Sequence, residues 1–304
     1  MAPVTVATRL RSTTRTAHSS RPASTSELLL ICQIVAGRPP SGKEWAQGGA
    51  TAVNGRRHGR LDGKGALVTG GSRGIGRSIV RRLAADGATV VFSYLRNEAA
   101  AQQVVDEVSE AGGKAFAVQA DQGSMRELDS LFGETDEHLG DGLDIVVANA
   151  AGCPTAPIGE VTEEMYDRAM AANAKGPFFV LQYASRRLKA NGRIIVISTL
   201  NTRIHSPAVL YCGSKGAIEQ FTQSAALTLG ERGITANIVS PGFTETELLY
   251  QSNPGADFSK ATEVTALGRL GQPDDVAGVV AFLAGPDSGW ITAQNILATG
   301  GVLA

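Results

Sequence analysis

Short apolar runs alternate with helix-length amphipathic segments along the chain from Gly65 onward. The runs are rich in Val and Ile and do not alternate with polar residues, a pattern typical of parallel strands that are buried on both faces. They are ALVT (66–69), TVVFS (89–93), AFAV (115–118), DIVVA (144–148), RIIVIS (193–198), TANIVS (235–240) and NILA (295–298). Each run has the length of one strand of a sheet.

Two of the segments between these runs carry apolar residues at the i, i+3 and i+4 spacing of an amphipathic helix. The first is Ile75–Asp86, and the second follows Pro273-Asp274-Asp275, residues that favour a helix start. Seven strands with intervening helices predict a single doubly wound parallel α/β sheet, with right-handed crossovers and helices on both faces, over residues 61–304.

Residues 1–60 differ from the rest of the chain in composition and charge. They contain nine Lys and Arg against two acidic residues, whereas residues 61–304 contain 19 basic and 27 acidic residues. The segment is rich in Ser, Thr and Arg, and its one apolar run, from Leu28, is far shorter than the ~20 residues of a membrane span. This composition predicts a disordered leader, which is either an organellar transit peptide or the product of an over-extended gene model.

Composition limits the classes of partner and the compartment. The 304-residue chain is 43% hydrophobic, enough for a sizeable core, and its net charge of −1 gives no reason to expect nucleic acid or an anionic membrane as a partner. Cys32, Cys153 and Cys212 show no paired or metal-type spacing, and the four His residues are scattered. We expect reduced thiols, no metal site and a cytoplasmic location, or an organellar one if the leader is a transit peptide.

A glycine-rich turn, TGGSRGIG (69–76), joins the first strand to the first helix. Small residues at such a turn let the backbone approach a pyrophosphate, whose charge is favoured by the free N–H groups at the helix N-terminus. The spacing differs from the dinucleotide fingerprint G-x-G-x-x-G, so the turn alone is also compatible with a tight connection that binds nothing.

Together with motifs further along the chain, the turn resembles that of the short-chain dehydrogenase/reductase family, which has a Rossmann-type fold. The motifs follow in the family's order: T-G-x-x-x-G-x-G (69–76), NAAG (149–152), NAKG (173–176), YCGSK (211–215), SPG (240–242), then GRLGQPDDVA and ATGG. When the family's N-N-A-G is aligned with residues 148–151, Ala148 replaces its first Asn and Ala151 replaces its Gly. The resemblance covers roughly residues 61–304 and is greatest to the branch containing 3-oxoacyl-carrier-protein reductases and similar ketoreductases.

The end of the second strand bears on the choice of nicotinamide cofactor. NAD-binding members of the family usually carry an acid there to hold the ribose hydroxyls, but this chain has Tyr94 and no carboxylate before Glu98. Arg73 and Arg96 are placed to meet an extra phosphate, because a guanidinium suits bidentate phosphate contact. NADP is therefore favoured over NAD.

We expect the cofactor to be held by the glycine turn, by residues that follow the strands and by the catalytic pair. The expected contacts are Gly70, Ser72, Arg73, Gly74, Ile75, Gly76, Arg96, Asp121, Asn149, Tyr211, Lys215, Pro241 and Gly242.

Tyr211 and Lys215 are four residues apart on a predicted helix and so share a face. A phenol has an ordinary pKa of about 10, and a nearby ammonium favours the phenolate, which moves proton transfer towards neutral pH. Reduction of a carbonyl needs such an acid, because the oxygen becomes an alkoxide as hydride reaches the carbon. The resemblance implies that Lys215 also holds the nicotinamide ribose and that Asn173 holds a water linking Lys215 to solvent.

Two adjacent hydroxyls, Ser198 and Thr199, compete for the role of second donor to the substrate oxygen. Alignment from the fifth strand places Thr199 where the family has its catalytic Ser, whereas counting thirteen residues back from Tyr211 reaches Ser198. A strand fixes register because adjacent side chains point to opposite faces, while the loop after it can lose a residue. We favour Thr199 and retain Ser198 as the alternative.

These residues predict an NADP-dependent oxidoreductase that interconverts a ketone and a secondary alcohol. One alternative is an NAD-linked alcohol or sugar dehydrogenase. The other is a non-catalytic dinucleotide-binding scaffold, which would normally have lost Tyr211 or Lys215.

A predicted lid over residues 243–270 bears on the substrate. Its larger apolar side chains, which suggest a partly apolar or bulky small molecule, are Leu248, Leu249, Tyr250 and Phe258. Cys153 is expected near the mouth of the site. By resemblance the chain forms a homo-oligomer, commonly a tetramer, through the helices that run from Glu163 and Tyr211.

Overall fold

The computed structural model describes residues 60–140 and 142–302, and this part of the chain forms one seven-stranded sheet with helices on both faces. The predicted doubly wound parallel α/β fold is confirmed. The predicted leader, apart from Arg60, lies outside the described residues.

All seven predicted strands are present. They are β1 (Gly65–Val68), β2 (Thr89–Tyr94), β3 (Lys114–Gln119), β4 (Leu143–Ala148), β5 (Leu188–Ile197), β6 (Thr235–Pro241) and β7 (Asn295–Ala298). β5 is longer than its apolar run because it begins at Leu188, which pairs with Leu143 ahead of an irregularity in the register.

The strands pair in parallel in the order β3-β2-β1-β4-β5-β6-β7. The first three strands therefore extend the sheet in one direction from β1, and the later four extend it in the other. In sheets of this kind ligands bind outside the carboxyl ends of the strands at such a reversal. The topology points to the ends of β1 and β4, at Val68 and Ala148, as the place to look for a site.

The helices connect these strands and cover the sheet. They are α1 (Gly74–Ala85), α2 (Glu98–Glu110), α3 (Met125–Leu139), α4 (Glu163–Met170), α5 (Gly176–Arg187), α6 (Val209–Leu229), α7 (Glu247–Ser252), α8 (Ser259–Glu263) and α9 (Pro273–Ala284). The first predicted helix is found within one residue at each end. The last begins at Pro273 as predicted, where the Asp275 carboxylate accepts a hydrogen bond from the Gln272 backbone N–H at 2.7 Å.

The helix expected to run from Glu163 is interrupted. A π-helical segment, Ala171–Lys175, separates α4 from α5 and contains Asn173. Insertions of this kind occur frequently at functional sites, because they change the direction of side chains and backbone carbonyls.

Two apolar clusters lie on opposite faces of the sheet. On one face, α1 and α9 pack their apolar stripes together, with Ile79 and Val280 among the fully buried side chains. On the other face α3, α5 and α6 cover the sheet, with Phe132, Val180 and Ile218 in the core. Because both faces are covered, every residue of β1, β4 and β6 is buried, which accounts for the absence of polar alternation in those runs.

Candidate active site

The glycine turn after β1 follows a tight path that leaves no room for side chains at several of its positions. Gly70 has φ +70°, a conformation that favours glycine. A Cβ on Gly76 would lie 2.0 Å from the Gly70 carbonyl oxygen, and one on Gly71 would lie 2.6 Å from the Phe92 side chain. Side chains at these positions would push the turn apart, so the backbone can follow this route only with glycine.

The N-terminus of α1 at this turn is free to meet an anion. Arg73 occupies the N-cap position without a side-chain cap hydrogen bond, and the first turn of the helix contains no acidic residue. Free N–H groups and the helix dipole favour negative charge at this position. The residues present therefore fit the pyrophosphate of a dinucleotide, with Ser72 and Ile75 partly exposed beside it.

Asn149 lies beyond the end of β4 and shapes the glycine turn. Its amide Nδ2 donates to the carbonyl oxygens of Thr69 at 2.9 Å and Gly70 at 3.1 Å. The buried Thr69 hydroxyl in turn accepts the backbone N–H groups of Asn149 and Ala150, both at 3.0 Å. Asn149, predicted as a cofactor contact, thus uses its side-chain N–H groups to hydrogen-bond the carbonyl oxygens of the turn.

The end of β2 carries no carboxylate. Tyr94 closes the strand with its side chain nearly buried, and Arg96 beyond it is exposed. Glu98 lies in the first turn of α2, whose N-cap Asn97 accepts the Ala100 backbone N–H at 3.0 Å. The observed arrangement leaves a positive rather than a negative side chain immediately after this strand.

Asp121, after β3, is exposed and organises its own loop. Its carboxylate accepts the Gly123 backbone N–H at 2.8 Å, and its backbone N–H donates to Glu127. Pro241 and Gly242 follow β6, where a Cβ on Gly242 would lie 2.9 Å from the Thr299 Cα atom. All of these positions lie at the carboxyl edge of the sheet.

The predicted lid touches both ends of this edge. Arg73 of the glycine turn forms an ion pair with Glu247 of α7 at 3.0 Å, with both side chains more than half exposed. At the other end of α7, Ser252 hydrogen-bonds the Cys153 thiol. The helix therefore reaches from the glycine turn to the loop that follows β4.

Ser198 and Thr199 are both buried, but they contact different groups. The Ser198 hydroxyl donates to the Glu219 carboxylate at 2.5 Å. The Thr199 hydroxyl hydrogen-bonds the Tyr211 phenol and also accepts the Asn201 backbone N–H at 3.2 Å. The opposite directions agree with the alternation expected at the end of a strand.

Tyr211 lies in the first turn of α6, half-buried beside Thr199. Burial raises the pKa of its phenol above the ordinary value, the Cys153 thiol adds to the rise, and the hydrogen bond with Thr199 acts in the opposite direction. We expected Lys215 to lower this pKa. In the chain as described, burial outweighs any effect of the ammonium, so the phenol is protonated at neutral pH.

Lys215 lies one helical turn after Tyr211 and is only 2% exposed. Its Nζ donates to the Ile197 carbonyl oxygen at 2.6 Å and lies 6.0 Å from the centre of the Tyr211 ring. Burial lowers the pKa of Lys215 from 10.5 to about 8, although the nearby Glu219 carboxylate raises it in part. The ammonium is therefore near its titration range at physiological pH.

Asn173, in the π-helical segment, is fully buried and joins three parts of the site. Its Oδ1 accepts the Gly152 backbone N–H at 2.9 Å, and its Nδ2 donates to the Gly152 carbonyl at 2.8 Å and to the Ser214 hydroxyl at 3.1 Å. Ser214 immediately precedes Lys215. The predicted residue thus lies close to Lys215, although its amide is bonded to Gly152 and Ser214.

One residue of this region, Glu219, was missed in the sequence, whereas Gln122 was expected there as the less favoured neighbour of Asp121 for contact with the adenine. Glu219 lies four residues after Lys215, at helical spacing that could have been noticed. Gln122 donates to the carbonyl oxygens of Ala150 and Ala172, while its own Oε1 is buried without a partner.

Metal and membrane features are not found in the part of the chain that the structure describes. Over residues 60–140 and 142–302, no three His, Cys, Asp or Glu side chains are grouped so as to hold a metal ion. Within the same ranges no helix has the length and apolar character to cross a membrane. Cys153 and Cys212 are free thiols, and Cys32 lies outside the described residues.

Comparison with known proteins identifies the family of this arrangement. A family model described as enoyl-(acyl carrier protein) reductase matches residues 70–303. The chain belongs to the short-chain dehydrogenase/reductase family, and so to the oxidoreductases.

Named relatives agree with this assignment. The hydroxynaphthalene reductase-like protein Arp2 of Metarhizium majus is 42% identical over 256 residues, covering 79% of this chain and 95% of the relative. A short-chain dehydrogenase of Burkholderia cenocepacia, solved in complex with NADP, is 38% identical with a TM-score of 0.76 and covers 81% of this chain and 100% of that one. The reductase LugOII, described as catalysing keto-reduction at C1 during lugdunomycin biosynthesis, is 43% identical with a TM-score of 0.75 and the same coverage.

We expect the unfolding free energy of the wild-type protein to rise relative to that of Lys215→Met as the pH increases from about 8 to 10.5. Burial lowers the pKa of Lys215 in the folded state, so in this window the unfolded chain holds a proton that the folded chain has lost. Deprotonation then favours the folded state. Urea unfolding of both proteins at several pH values, followed by circular dichroism, measures the difference.

The exposed Lys260→Met serves as the matched control and should show a pH-independent difference from wild type. Parallel curves for the wild-type protein and Lys215→Met across the window would contradict the lowered pKa.

Proposed function

We propose that the protein is an NADP-dependent reductase of ketones that can also run as an alcohol dehydrogenase. One observation carries the proposal: the Thr199 hydroxyl hydrogen-bonds the Tyr211 phenol, with Lys215 one helical turn further on. The three residues lie at the carboxyl edge of the sheet that also bears the glycine turn. This arrangement supports proton transfer to an oxygen atom held between two hydroxyls.

The nicotinamide supplies hydride to the substrate carbon when the cofactor is bound. The carbonyl oxygen then gains negative charge, and the protein must stabilise and protonate it. Tyr211 is the proton donor, since its raised pKa keeps the phenol protonated at neutral pH. Thr199 donates a second hydrogen bond to the same oxygen, and Ser198 is the less favoured candidate because its hydroxyl is bonded to Glu219.

Lys215 acts on the phenolate that remains after proton transfer. In its protonated form, Lys215 brings positive charge near the phenolic oxygen and holds the nicotinamide ribose. Asn173 supports this arrangement through Ser214 and Gly152, and by family resemblance it holds a water that links Lys215 to solvent. These roles follow the family resemblance together with the contacts described above.

The proposed cofactor is NADP. Several features support it: the absence of a carboxylate at the end of β2, the exposed guanidinium groups of Arg73 and Arg96, and the NADP complex of the Burkholderia cenocepacia relative. The proposed contacts are the glycine turn and the strand-end residues: Gly70, Ser72, Arg73, Gly74, Ile75, Gly76, Arg96, Asp121, Asn149, Pro241 and Gly242, with Tyr211 and Lys215 at the nicotinamide end.

One observation favours the NAD-linked alternative. Arg73 is already paired with Glu247, so a 2′-phosphate would have to share or displace that carboxylate. Both side chains are exposed, and exposed ion pairs contribute little. The competition is therefore weak, and NADP remains the proposed cofactor.

The proposed substrate is a small ketone with a partly apolar or bulky body. The lid presents Leu248 and Leu249, both half-buried, and Tyr250 packs edge-on against Phe258 with ring centres 5.6 Å apart. The keto-reduction named for LugOII supports the same class of reaction.

A homo-oligomer built through α5 and α6 stays a prediction. Phe178 of α5 and Phe221 of α6 are 38% and 39% exposed, and their rings meet at 5.0 Å in an edge-on contact. Leu227, further along α6, is 81% exposed. Such a row of apolar side chains supports burial against a second copy.

The proposed function is tested by the oxidation of NADPH in the presence of a panel of ketones that ranges from small aliphatic to fused aromatic compounds. We expect turnover with at least one bulky member. Tyr211→Phe should lower kcat by about 10²–10⁴-fold, because it removes the proton donor, while NADPH binding measured by fluorescence persists. NADPH binding without turnover of any ketone would favour the scaffold, and a preference for NADH would favour the NAD-linked alternative.

The choice between the two hydroxyls is tested with Thr199→Ala and Ser198→Ala made separately. Thr199→Ala should lower kcat by about 10²–10³-fold, the usual cost of one lost oxyanion donor. Ser198→Ala should cost less than about tenfold in kcat but lower the free energy of unfolding by about 1.5–3 kcal/mol, because it removes a hydrogen bond to a buried carboxylate. The reverse pattern in kcat would assign the role to Ser198.

The double change Arg73→Ala with Arg96→Asp should shift preference from NADPH towards NADH. It removes two partners of the 2′-phosphate and adds a carboxylate that repels it while accepting ribose hydroxyls. The measurement is the ratio of kcat/KM for the two cofactors. Arg186→Asp, the same change of charge at an exposed position of α5, should leave the ratio as it is in wild type; an unchanged ratio in the double variant as well would refute the assignment.

A further inference from the structure

Glu219 is a buried carboxylate that none of the catalytic roles above uses. It lies on α6, four residues after Lys215, and is only 5% exposed. Its Oε1 accepts hydrogen bonds from the Ser198 hydroxyl at 2.5 Å and from the Thr202 hydroxyl at 2.7 Å. Its Oε2 lies 3.5 Å from a guanidinium nitrogen of Arg203.

These three partners all belong to the segment that carries Thr199. Ser198 precedes Thr199, and Thr202 and Arg203 follow it at the end of the short 3-10 turn Leu200–Thr202. The Thr199 carbonyl oxygen lies 3.0 Å from the same Thr202 hydroxyl, which shares its one proton between this oxygen and Glu219. Glu219 therefore ties both sides of Thr199 to the helix on which Tyr211 and Lys215 lie.

A carboxylate is a costly way to join a loop to a helix. Burying a charge is unfavourable unless it is paired and fully hydrogen-bonded, and apolar packing in its place is often neutral or stabilising. Glu219 has partners for both oxygens, yet Arg203 is nearly half exposed and so pairs with it only weakly. A residue whose only task was to hold the loop would not need this charge.

We propose that Glu219 is a positioning residue for the reduction: through its contacts it fixes Thr199 relative to Tyr211, and it places a carboxylate one helical turn after Lys215. The proposal rests on the catalytic roles given above to Thr199, Tyr211 and Lys215. It adds a residue that touches neither the substrate nor the cofactor and acts through its contacts.

The charged and titratable groups around Lys215 come from three elements. Glu219 and Tyr211 lie on the same helix, Cys153 comes from the loop after β4, and Arg203 comes from the segment after β5 and faces Glu219. Burial lowers the pKa of Lys215, while Glu219 and, to a lesser extent, Cys153 raise it. Removal of the Glu219 charge therefore lowers the pKa of Lys215 further and narrows the pH range in which the ammonium persists.

The experiment compares variants that separate charge from anchoring. Glu219→Gln keeps the size and a hydrogen-bond acceptor but removes the charge, and Glu219→Leu removes both. Thr202→Val removes one anchoring bond and leaves the charge. The exposed Glu231→Gln, in the 3-10 turn Gly230–Arg232 that follows α6, is the matched control for loss of a carboxylate.

We expect Glu219→Leu to lower kcat by about 10–100-fold, the effect of misplacing a catalytic group by a fraction of an ångström to an ångström, with KM for NADPH within about twofold of wild type. Glu219→Gln should move the alkaline limb of the pH profile of kcat down by about one unit. Thr202→Val should lower kcat less than Glu219→Leu and leave the limb in place. Glu231→Gln should match wild type in both.

A second measurement does not depend on any ketone being a substrate. Titration of the Lys215 side chain by NMR with labelled lysine, assigned by its loss in Lys215→Met, should show a lower pKa in Glu219→Gln than in wild type. An unchanged Lys215 pKa overturns the inference even if the enzyme reduces ketones. A lowered pKa in a protein that reduces no ketone leaves the electrostatic role in place and refutes the proposed function instead.

A purely structural role predicts a different result. In that case the Glu219 variants would lose activity only in proportion to their loss of folded protein, and the pH limb would stay where it is in wild type. That outcome, with folded fraction measured by circular dichroism and urea unfolding, would also overturn the inference.

Discussion

Four hydrogen bonds hold the end of β1 against the end of β4, at the point where the order of the sheet reverses. They run between Thr69 and Gly70 on one side and Asn149 and Ala150 on the other. Since a parallel sheet opens a crevice at its reversal, these bonds set the width of the crevice and the course of the glycine turn within it. The same loop continues to Gly152 and from there to the rest of the site.

Hydrogen bonds extend from this junction to α6, the helix that carries Tyr211 and Lys215. Gly152 is held from both sides by the Asn173 amide, and that amide also bonds Ser214, the neighbour of Lys215. The glycine turn and α6 are thus fixed relative to each other by directional hydrogen bonds. Such bonds are expensive to break, because a buried polar group left without a partner loses its solvation as well.

Much of the fold was predictable because its physical causes are local or periodic. The apolar runs predicted all seven strands, and the Pro273 helix start was right to the residue. The break in the helix around Asn173 was not predictable, because a π-helical segment depends on tertiary packing and has no composition of its own.

The sequence predicted which residues form the candidate site, but it did not predict their pKa values or ion pairs. Spacing alone brought Tyr211 and Lys215 to one helical face, and strand alternation separated Ser198 from Thr199. The raised pKa of the Tyr211 phenol and the pairing of Arg73 with Glu247 depend on burial and on residues distant in sequence. The helical spacing of Glu219 from Lys215 is readable in the sequence, but its partners in the segment around Thr199 reach it only when α6 packs against the end of β5.

The separation of β1 from β4 along the chain has a consequence for folding. Thr69 and Asn149 are 80 residues apart, so the crevice forms only when the chain closes a loop that contains β2, β3 and their helices. Sheets assembled from such distant pairings fold slowly, because the entropy of loop closure is lost before the contacts form. A growing chain therefore cannot form the crevice before β4 has been synthesised. The fraction of molecules that bind the cofactor in a folding population therefore measures the fraction whose sheet is complete.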